Sequence, residues 1–280
     1  MLDVIAKAML PASVQSYIRA WKHRRVQLRF QPRVVSHRFG ATPLKVALRD
    51  VLAVEWYDHD WPEPLEITFL KTLSLRPGAT VFDLGAHQCV VALMLAAAVG
   101  DTGRVIALDG SAHNVEVALE NIRLNGADNL VVLKAAAACT RGELIFNCSL
   151  NGQVDAGAGA HGQVSVSSRA VDDLAEEYGQ PDLIFVDVEG YECEVLSGAG
   201  TALSRGADWF VEVHGGCGLE TFGGSVSKLL GYFPAARFDL YFSRSDQDVF
   251  KPLADDAGLD GSRWYLIALN RSARAAASKA

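Results

Sequence analysis

Thr80-Val81-Phe82-Asp83-Leu84-Gly85-Ala86-His87-Gln88-Cys89 is the stretch of this sequence that decides its fold. It begins with an apolar run that ends in an acid, which predicts a buried β-strand, and the Ala/Leu-rich residues 90–99 that follow predict a helix. Gly85 lies between them, where a residue without a Cβ lets the backbone turn sharply and approach a ligand closely. A strand, a glycine turn and a helix in this order are typical of the ligand-binding edge of an open α/β sheet.

The chain continues from this stretch toward its C-terminus as alternating strands and helices. Apolar runs predict the strands, and apolar residues at helical spacing predict the helices. The predicted strands are 104–109, 130–133, 183–186 and 209–213, and the predicted helices are the segment around 115–122, then 171–178, 193–203 and 225–232. This alternation predicts a parallel sheet covered by helices on both faces. Residues 238–242 and 264–269 have no long helix between them and predict an antiparallel pair that closes the sheet.

The N-terminal part of the chain differs from this regular pattern. Its predicted elements are a helix within 1–25, a β-hairpin of 34–39 and 44–48 around a Gly/Pro turn, and a helix over 63–73. Two features interrupt the regular part, a predicted edge strand at 143–146 and a Gly/Ala-rich loop at 151–161. We therefore predict a helix and hairpin extension at 1–60, a main domain at 61–271 and a flexible tail at 272–280.

Composition narrows the classes of function. The chain has 280 residues, half of them hydrophobic, and a net charge of -7. An acidic chain repels phosphate, so a nucleic-acid partner is not expected. The five cysteines form no C-x-x-C pair, which fits a reduced, cytoplasmic protein. We see neither a signal peptide nor an apolar stretch long enough to span a membrane.

The predicted ligand site carries acids where a dinucleotide site would carry glycines. The segment lacks G-x-G-x-x-G, and Asp83 would repel a pyrophosphate but suit a cationic amino group. That argues against NAD and favours an amino-acid-bearing nucleoside such as S-adenosylmethionine (SAM). Asp109 ends the next strand, 24 residues after Gly85, where an acid can hydrogen-bond ribose hydroxyls. Each acid also has a structural alternative, because Asp83 could cap the following helix and Asp109 could be an exposed turn residue.

At these residues the sequence resembles the FkbM-type methyltransferases, from about Trp61 to Leu269. The family's first motif, roughly D-x-G-A-N-x-G, corresponds to Asp83–Cys89, with His87 in place of Asn and Cys89 in place of Gly. The other matching elements are Asp109-Gly110-Ser111 with Asn114, Asn121 with Leu124 and Asn125, Asp187-Val188-Glu189-Gly190-Tyr191-Glu192 followed by Val195–Ala199, Glu212-Val213-His214, and Glu66. The most specific of these is the segment that starts at Asp187.

This resemblance implies a Rossmann-like class I methyltransferase, an α/β fold whose mostly parallel seven-stranded sheet includes an antiparallel C-terminal strand, with SAM as the methyl donor. It also implies a set of cofactor-binding residues: Asp83, Gly85 and Ala86 on the methionine side, Asp109, Gly110, Ser111 and Asn114 at the ribose and adenine, and Ala136 and Ala137 beside the adenine. Glu66, His87 and Asp187 complete the predicted set. His87 could orient the SAM carboxylate or cap the following helix.

The predicted reaction site lies where the fourth and fifth strands end. Transfer to a hydroxyl usually requires that the hydroxyl lose its proton, and a histidine titrates near neutral pH. We therefore predict His214 as the general base, with Asp187 second and Glu189 beside them, although each could be structural. Asp187, Glu189 and His214 could instead hold a divalent cation, but we predict no metal.

The predicted function is O-methylation of a small molecule, a sugar or a natural product by SAM. The extension and the loop 151–161 would form the acceptor pocket, and the extension could support oligomers. The aromatic residues Trp56, Tyr57, His59 and Trp61 suit either a sugar-binding surface or ordinary packing. Two alternatives stay open: a non-catalytic protein that binds SAM or another nucleoside and acts through a partner, and, with less support, an NAD-dependent oxidoreductase.

Overall fold

A computed structural model of the chain describes residues 30–147, 152–154, 163–254 and 258–272. The helix predicted within 1–25, most of the Gly/Ala-rich loop and nearly all of the predicted tail lie outside the described residues. None of the described helices is both long enough and apolar enough to cross a membrane.

The described chain begins with the predicted hairpin. Strand β1 (Arg33–Phe39) pairs antiparallel with β2 (Thr42–Leu48). Helix α1 (Val51–Tyr57) follows, and the sequence did not predict it. Its N-cap is Asp50, whose side chain accepts a hydrogen bond from the Ala53 amide at 2.8 Å. Helix α2 (Leu65–Leu70) is shorter than the predicted helix over 63–73.

The remaining elements alternate from Thr80 onward, much as predicted. In chain order they are β3 (Thr80–Leu84), α3 (Val90–Val99), β4 (Arg104–Asp109), α4 (Ala112–Asn125), β5 (Leu130–Lys134), β6 (Ala136–Ala137), β7 (Gly142–Asn147), β8 (Gln153–Val154), β9 (Gln163–Arg169), α5 (Val171–Tyr178), β10 (Leu183–Val186), α6 (Glu192–Ser197), α7 (Gly200–Arg205), β11 (Asp208–His214), a 3-10 turn (Leu219–Phe222), α8 (Val226–Gly231), β12 (Phe238–Ser243), β13 (Lys251–Pro252) and β14 (Arg263–Asn270).

The central sheet has the predicted class I methyltransferase arrangement. Its strand order is β13-β12-β14-β11-β10-β3-β4-β5. The five strands from β11 to β5 pair in parallel, and β14 runs antiparallel to both β11 and β12. The strands from β12 to β5 therefore confirm the predicted seven-stranded sheet. The two-residue strand β13 adds an eighth strand at its edge. The chain leaves β3 toward β4 on one side and returns to β10 on the other, so the carboxyl ends of β3 and β10 flank the crevice in which such sheets bind ligands.

Two hydrophobic layers cover the two faces of this sheet. Val81 and Phe82, neighbours on β3, point into opposite layers as the two-residue period of a strand requires. Helices α3 and α4 and the hairpin pack on the Val81 side, and helices α5, α6 and α8 pack on the Phe82 side. Burying each such side chain contributes about 1.5–3 kcal/mol, so the layers fix the strand register and with it the positions of the strand ends.

Two local predictions are wrong, and one strand was not predicted. The helix expected over 193–203 is two helices, α6 and α7, separated at Gly198, where a Cβ would lie 2.6 Å from the Cys139 carbonyl oxygen. The strand expected to be an edge at 143–146 is β7, which is an inner strand of a separate four-stranded sheet of order β6-β9-β7-β8. Strand β9 was not predicted, because its sequence Gln-Val-Ser-Val-Ser-Ser-Arg has few apolar residues.

Candidate functional site

The turn after β3 and the turn after β10 touch at Gly85. The amides of Gly85 and Ala86 both donate to the Leu108 carbonyl oxygen at 2.9 Å. Gly85 has φ +95°, and a Cβ there would lie 1.7 Å from the Asp187 carbonyl oxygen. Only glycine fits at this position, both for its dihedral angle and for its space. The predicted cofactor residue Gly85 and the predicted reaction residue Asp187 are therefore direct neighbours.

The loop Gly85–Cys89, which we call the cofactor loop, carries two non-glycine residues in the left-handed region. His87 has φ 48° and Cys89 has φ 62°. Such backbone costs of order 1–3 kcal/mol for each residue and persists where neighbouring contacts enforce it. Cys89, which stands where the resembling family has glycine, thus keeps a glycine-like conformation. Its thiol is buried, and burial together with the Asp83 and Asp109 carboxyls raises its pKa well above the usual value.

Two buried carboxyls border the cofactor loop. The Asp83 Oδ2 atom is buried without a hydrogen-bond partner among the described residues. The Asp109 Oδ1 atom accepts from the Ser111 amide at 2.7 Å and from Asn114 Nδ2 at 3.2 Å. Burial raises the pKa of Asp83 to about 7, assisted by the charge of Asp109, and burial raises the pKa of Asp109 to about 7 against these hydrogen bonds. Both carboxyls suit a ligand that brings positive charge or hydrogen-bond donors.

The turn after β4 is covered by a side chain that the sequence did not predict at the site. A Cβ at Gly110 would lie 2.7 Å from the Phe146 ring, which comes from β7 and packs across the turn. Ser111 caps α4, since its Oγ accepts from the Asn114 amide at 3.3 Å. The remaining predicted adenine neighbours, Ala136 and Ala137, form the buried strand β6 beside the same turn. Phe146 belongs to no recognisable sequence motif. Its position over the turn depends on how β7 pairs within the small sheet, which only the folded structure shows.

Aromatic residues of α1 pack against the cofactor loop. The Tyr57 hydroxyl lies 2.9 Å from His87 Nδ1, and the Trp56 ring centroid is 5.0 Å from that of His87. Tyr57 is buried and also packs on Trp61, whereas His59 is exposed. The sequence left open whether these aromatic residues form a sugar-binding surface or pack in the ordinary way. For Tyr57 the structure favours ordinary packing.

His214 is the centre of the second part of the site, which we call the carboxyl cluster. Its Nδ1 atom lies 2.6 Å from Glu192 Oε1. Its Nε2 atom lies 3.4 Å from Glu189 Oε2, 3.5 Å from Glu212 Oε1 and 3.7 Å from Asp187 Oδ1. The structure thus brings together the three acidic residues that follow β10 and the two polar residues at the carboxyl end of β11, as predicted. Arg263, on β14, forms an ion pair with Glu212 and was not anticipated.

These carboxyls set the charge of the histidine. Burial alone would lower the pKa of His214, but the hydrogen bond to Glu192 and the surrounding carboxylates raise it to about 9. His214 is therefore an imidazolium at neutral pH in this arrangement. The Asp187 side chain is 44% exposed, yet its Oδ1 atom is buried without a hydrogen-bond partner among the described residues. Desolvation of this oxygen, together with the charge of Glu212, raises the pKa of Asp187 well above its ordinary value.

A tight turn fixes the position of Glu192. Glu189 has φ 53° and Gly190 has φ 103°, and a Cβ at Gly190 would lie 2.4 Å from the carbonyl carbon of Gly218. The Gly190 amide donates to Glu192 Oε1 at 2.9 Å, the same oxygen that faces His214. Glu192 is fully buried, so this turn holds the Glu192 carboxyl, and with it the His214 ring, in a fixed position.

Two further predicted features can be placed in the site. Burial raises the pKa of Glu66 to about 7, assisted by the charges of Glu212 and Asp246, so Glu66 lies within electrostatic range of Glu212 in the carboxyl cluster. Asp187, Glu212 and His214 each offer one ligand atom within 4.8 Å of the others, so these three could hold a divalent cation. The sequence had suggested a set with Glu189 in place of Glu212.

Comparison with known proteins gives a family match that covers more than half of the chain. The model of the methyltransferase FkbM domain matches residues 83–238. No curated protein matched the chain. The family match includes the cofactor loop, the turn after β4 and the carboxyl cluster.

Among solved structures, similarity is low in both sequence and superposition. A methyltransferase FkbM from Methylobacillus flagellatus KT shares 15% identity over 68% of this chain and 43% of its own, with a TM-score of 0.46. A SAM-dependent methyltransferase from Aquifex aeolicus shares 16% over 79% and 93%, with a TM-score of 0.44. A SAM-dependent O-methyltransferase from Thermotoga maritima shares 14% over 85% and 77%, also with a TM-score of 0.44. The family match, not these superpositions, carries the assignment.

Proposed function

The chain belongs to the FkbM-domain methyltransferases, whose methyl donor is SAM, and from this premise we propose that it methylates a hydroxyl oxygen of a small molecule, a sugar or a natural product. The observation that carries the proposal is the contact between the cofactor loop and the carboxyl cluster. Gly85 touches the Asp187 backbone, so a donor held by the loop would face a group able to accept a proton.

The cofactor loop and Asp83, which lies just before it, fit SAM. The Asp83 Oδ2 atom is buried without a partner among the described residues, and the backbone at Gly85 leaves no room for a side chain. We propose that Asp83, Gly85, Ala86 and His87 hold the amino-acid end and that Asp109 binds the ribose hydroxyls. The adenine would lie near the turn after β4, against Gly110, Ser111, Asn114, Ala136 and Ala137. When bound, SAM supplies a methyl group on a positively charged sulfur, which needs no activation by the protein.

The protein's own task is then to orient the acceptor and remove its proton. His214 was predicted as the base, but an imidazole with a pKa of about 9 already holds a proton at neutral pH. We propose instead that the exposed oxygen of the Asp187 carboxylate accepts the hydroxyl proton, because a carboxylate with a raised pKa is a stronger base than an ordinary one. The His214 imidazolium would hold the surrounding carboxylates in place, and Glu189, which also faces it, would orient the acceptor.

A methyl-transfer assay tests this proposal. Purified protein and SAM are offered sugars, glycosides and phenols, each with the matching amine, and products are identified by mass spectrometry. We expect methylation on oxygen, and we expect Asp187→Asn to lower kcat by about a hundredfold or more, well beyond its effect on SAM affinity. Asp182→Asn is the matched control, since Asp182 lies at the opposite end of β10 and accepts from the Thr80 amide. Methylation of amines alone would overturn the proposal.

A silent binding protein is the second candidate, and Cys89 favours it. A left-handed residue with a side chain replaces the glycine of the family motif. SAM binding without turnover over the whole acceptor panel would support this candidate.

We also propose a reducing, cytoplasmic setting for the protein. Free thiols support this proposal, and among the described residues they are Cys89, Cys139, Cys193 and Cys217.

A further inference from the structure

The carboxylate of Asp50 helps to hold the cofactor loop from outside the central sheet. Asp50 is 2% exposed and lies between β2 and α1. Its side chain accepts hydrogen bonds from the Ala53 amide at 2.8 Å, Gln88 Nε2 at 2.6 Å and His113 Nε2 at 2.8 Å. These donors belong to α1, to the cofactor loop and to α4. One side chain therefore joins the N-terminal unit to the loop and to the helix that follows the ribose acid.

Two further contacts hold the same loop. At the other end of α1, the Tyr57 hydroxyl lies 2.9 Å from His87 Nδ1. Asn121, on α4, donates to the Gln88 carbonyl oxygen at 2.9 Å and accepts from the Ala47 amide of β2 at 2.7 Å. Both ends of α1 thus reach consecutive residues of the loop, and β2 is tied to the same helix that holds it.

The charge of Asp50 strengthens this attachment. Burial would raise the pKa of Asp50, but the hydrogen bonds from His113, Ala53 and Gln88 hold it below the ordinary value, so the side chain is ionised. Hydrogen bonds to a charged acceptor are about twice as strong as neutral ones. Loss of the carboxylate would leave the fully buried Gln88 amide without its acceptor.

The loop needs such support because of its backbone. His87 and Cys89 occupy the left-handed region on either side of Gln88, the residue that Asp50 binds. Two non-glycine residues in this region favour relaxation of the loop unless surrounding contacts prevent it. The helical geometry of α1 places both contacts, at Asp50 and at Tyr57, where they oppose that relaxation.

We propose that Asp50 is a positioning residue for the cofactor, and that the N-terminal unit of β1, β2 and α1 acts through Asp50 and Tyr57 as a clamp that keeps the cofactor loop in its SAM-binding conformation. This inference rests on the proposed placement of SAM at the loop. A loop that spends only part of its time in the binding conformation lowers the apparent affinity by that fraction. Loss of one charged hydrogen bond should therefore weaken SAM binding by about tenfold or more.

Three variants separate a clamp from general packing. Asp50→Ser keeps an N-cap for α1 but is too short to reach Gln88. Gln88→Met removes the same contact from the loop side at similar volume. Asp58→Ser is the matched control, because Asp58 is the C-cap that follows α1 and it binds Arg33 and His37 away from the loop. If Asp50→Ser does not fold, Tyr57→Phe removes only the hydroxyl that faces His87.

The readouts are amide hydrogen exchange of the cofactor loop without SAM, the Kd for SAM by calorimetry, and Tm. We expect Asp50→Ser and Gln88→Met to speed exchange at Ala86 and Cys89 and to raise the Kd by about tenfold or more, while Asp58→Ser behaves as wild type. The double variant should bind SAM no more weakly than Asp50→Ser alone, since Gln88→Met removes a contact that Asp50→Ser has already removed.

Unchanged exchange and unchanged Kd in both variants would overturn the clamp, as would an equal effect of Asp58→Ser. A lower Tm without faster loop exchange would also overturn it. If even the wild-type protein binds no SAM, the proposed function is wrong, but the exchange rates still decide whether the clamp exists.

Discussion

Acidification should weaken SAM binding, because the two carboxyls of the cofactor site are buried. The pKa values of Asp83 and Asp109 are raised to about 7, whereas an unfolded aspartate has a pKa of about 3.9. Between about pH 4 and pH 7 each carboxyl therefore holds a proton that the unfolded chain would already have lost. SAM brings an ammonium group, a sulfonium and hydroxyl donors, all of which favour the ionised carboxylates. Binding near pH 6 must then release protons.

The size of this effect follows from the pKa values. At pH 6 a group with a pKa of 7 is about 90% protonated, and each proton that must leave weakens binding by about tenfold per pH unit. Asp109 raises the pKa of Asp83, so the two carboxyls titrate as a pair. Between pH 5.5 and 7 the affinity should increase by about 15-fold if one proton leaves and by about 250-fold if two leave.

Calorimetry in pairs of buffers with different ionisation enthalpies measures the protons released. The range stops at pH 7, below the pH at which the amino group of SAM itself titrates, about 8. Asp83→Asn should reduce the release by about one proton at pH 6. An affinity that does not change between pH 5.5 and 7, with heats that do not depend on the buffer, would refute the burial of ionisable groups at the cofactor site.

Three further predictions concern single side chains. Gly85→Ala should abolish SAM binding, since its Cβ would lie 1.7 Å from a backbone oxygen, whereas Gly231→Ala, with open space around it, should bind SAM as wild type does in calorimetry. The pKa of His214 is raised above its unfolded value, so its stabilising effect is complete below pH 6.5 and is lost as the pH rises through about 9. Glu192→Gln should therefore destabilise the protein by about 1–3 kcal/mol in urea unfolding at pH 7 and by less at pH 10, and an equal loss at both pH values would contradict the imidazolium. Phe146→Ala should raise the Kd for SAM severalfold, because its ring covers the turn after β4, and an unchanged Kd would remove Phe146 from the site.

The parallel sheet could be predicted because its strands are buried on both faces. Continuous apolar runs mark β3, β4 and β10, and the predicted bounds of α3 match the structure. Parallel strands end at one edge, so the acids after β10 and the acid near the end of β11 could be expected to meet. Strand β9 escaped prediction because serine alternates with valine there. The break at Gly198 depends on a close approach to Cys139, which only the folded chain shows.

The chemistry of the site was less predictable than its location. The charge of His214 depends on how many carboxylates surround it, and strand order does not give that number. Asp50 lies 38 residues before Gln88, and no motif links them. An acid directly before an apolar helical pattern is an N-cap signal, and it could have located α1. It would not have shown that the same carboxylate reaches the cofactor loop.

The central claim is that Asp83 and Asp109 form a SAM site, and equilibrium binding tests it most directly. Calorimetry should show that the wild-type protein binds SAM and S-adenosylhomocysteine but not NAD. Asp83→Ala and Asp109→Ala should abolish SAM binding, and Asp83→Ala should leave Tm unchanged or higher because it removes a buried carboxyl oxygen that has no partner among the described residues. Undisturbed SAM affinity in both variants, or tight binding of NAD by the wild-type protein, would contradict the account.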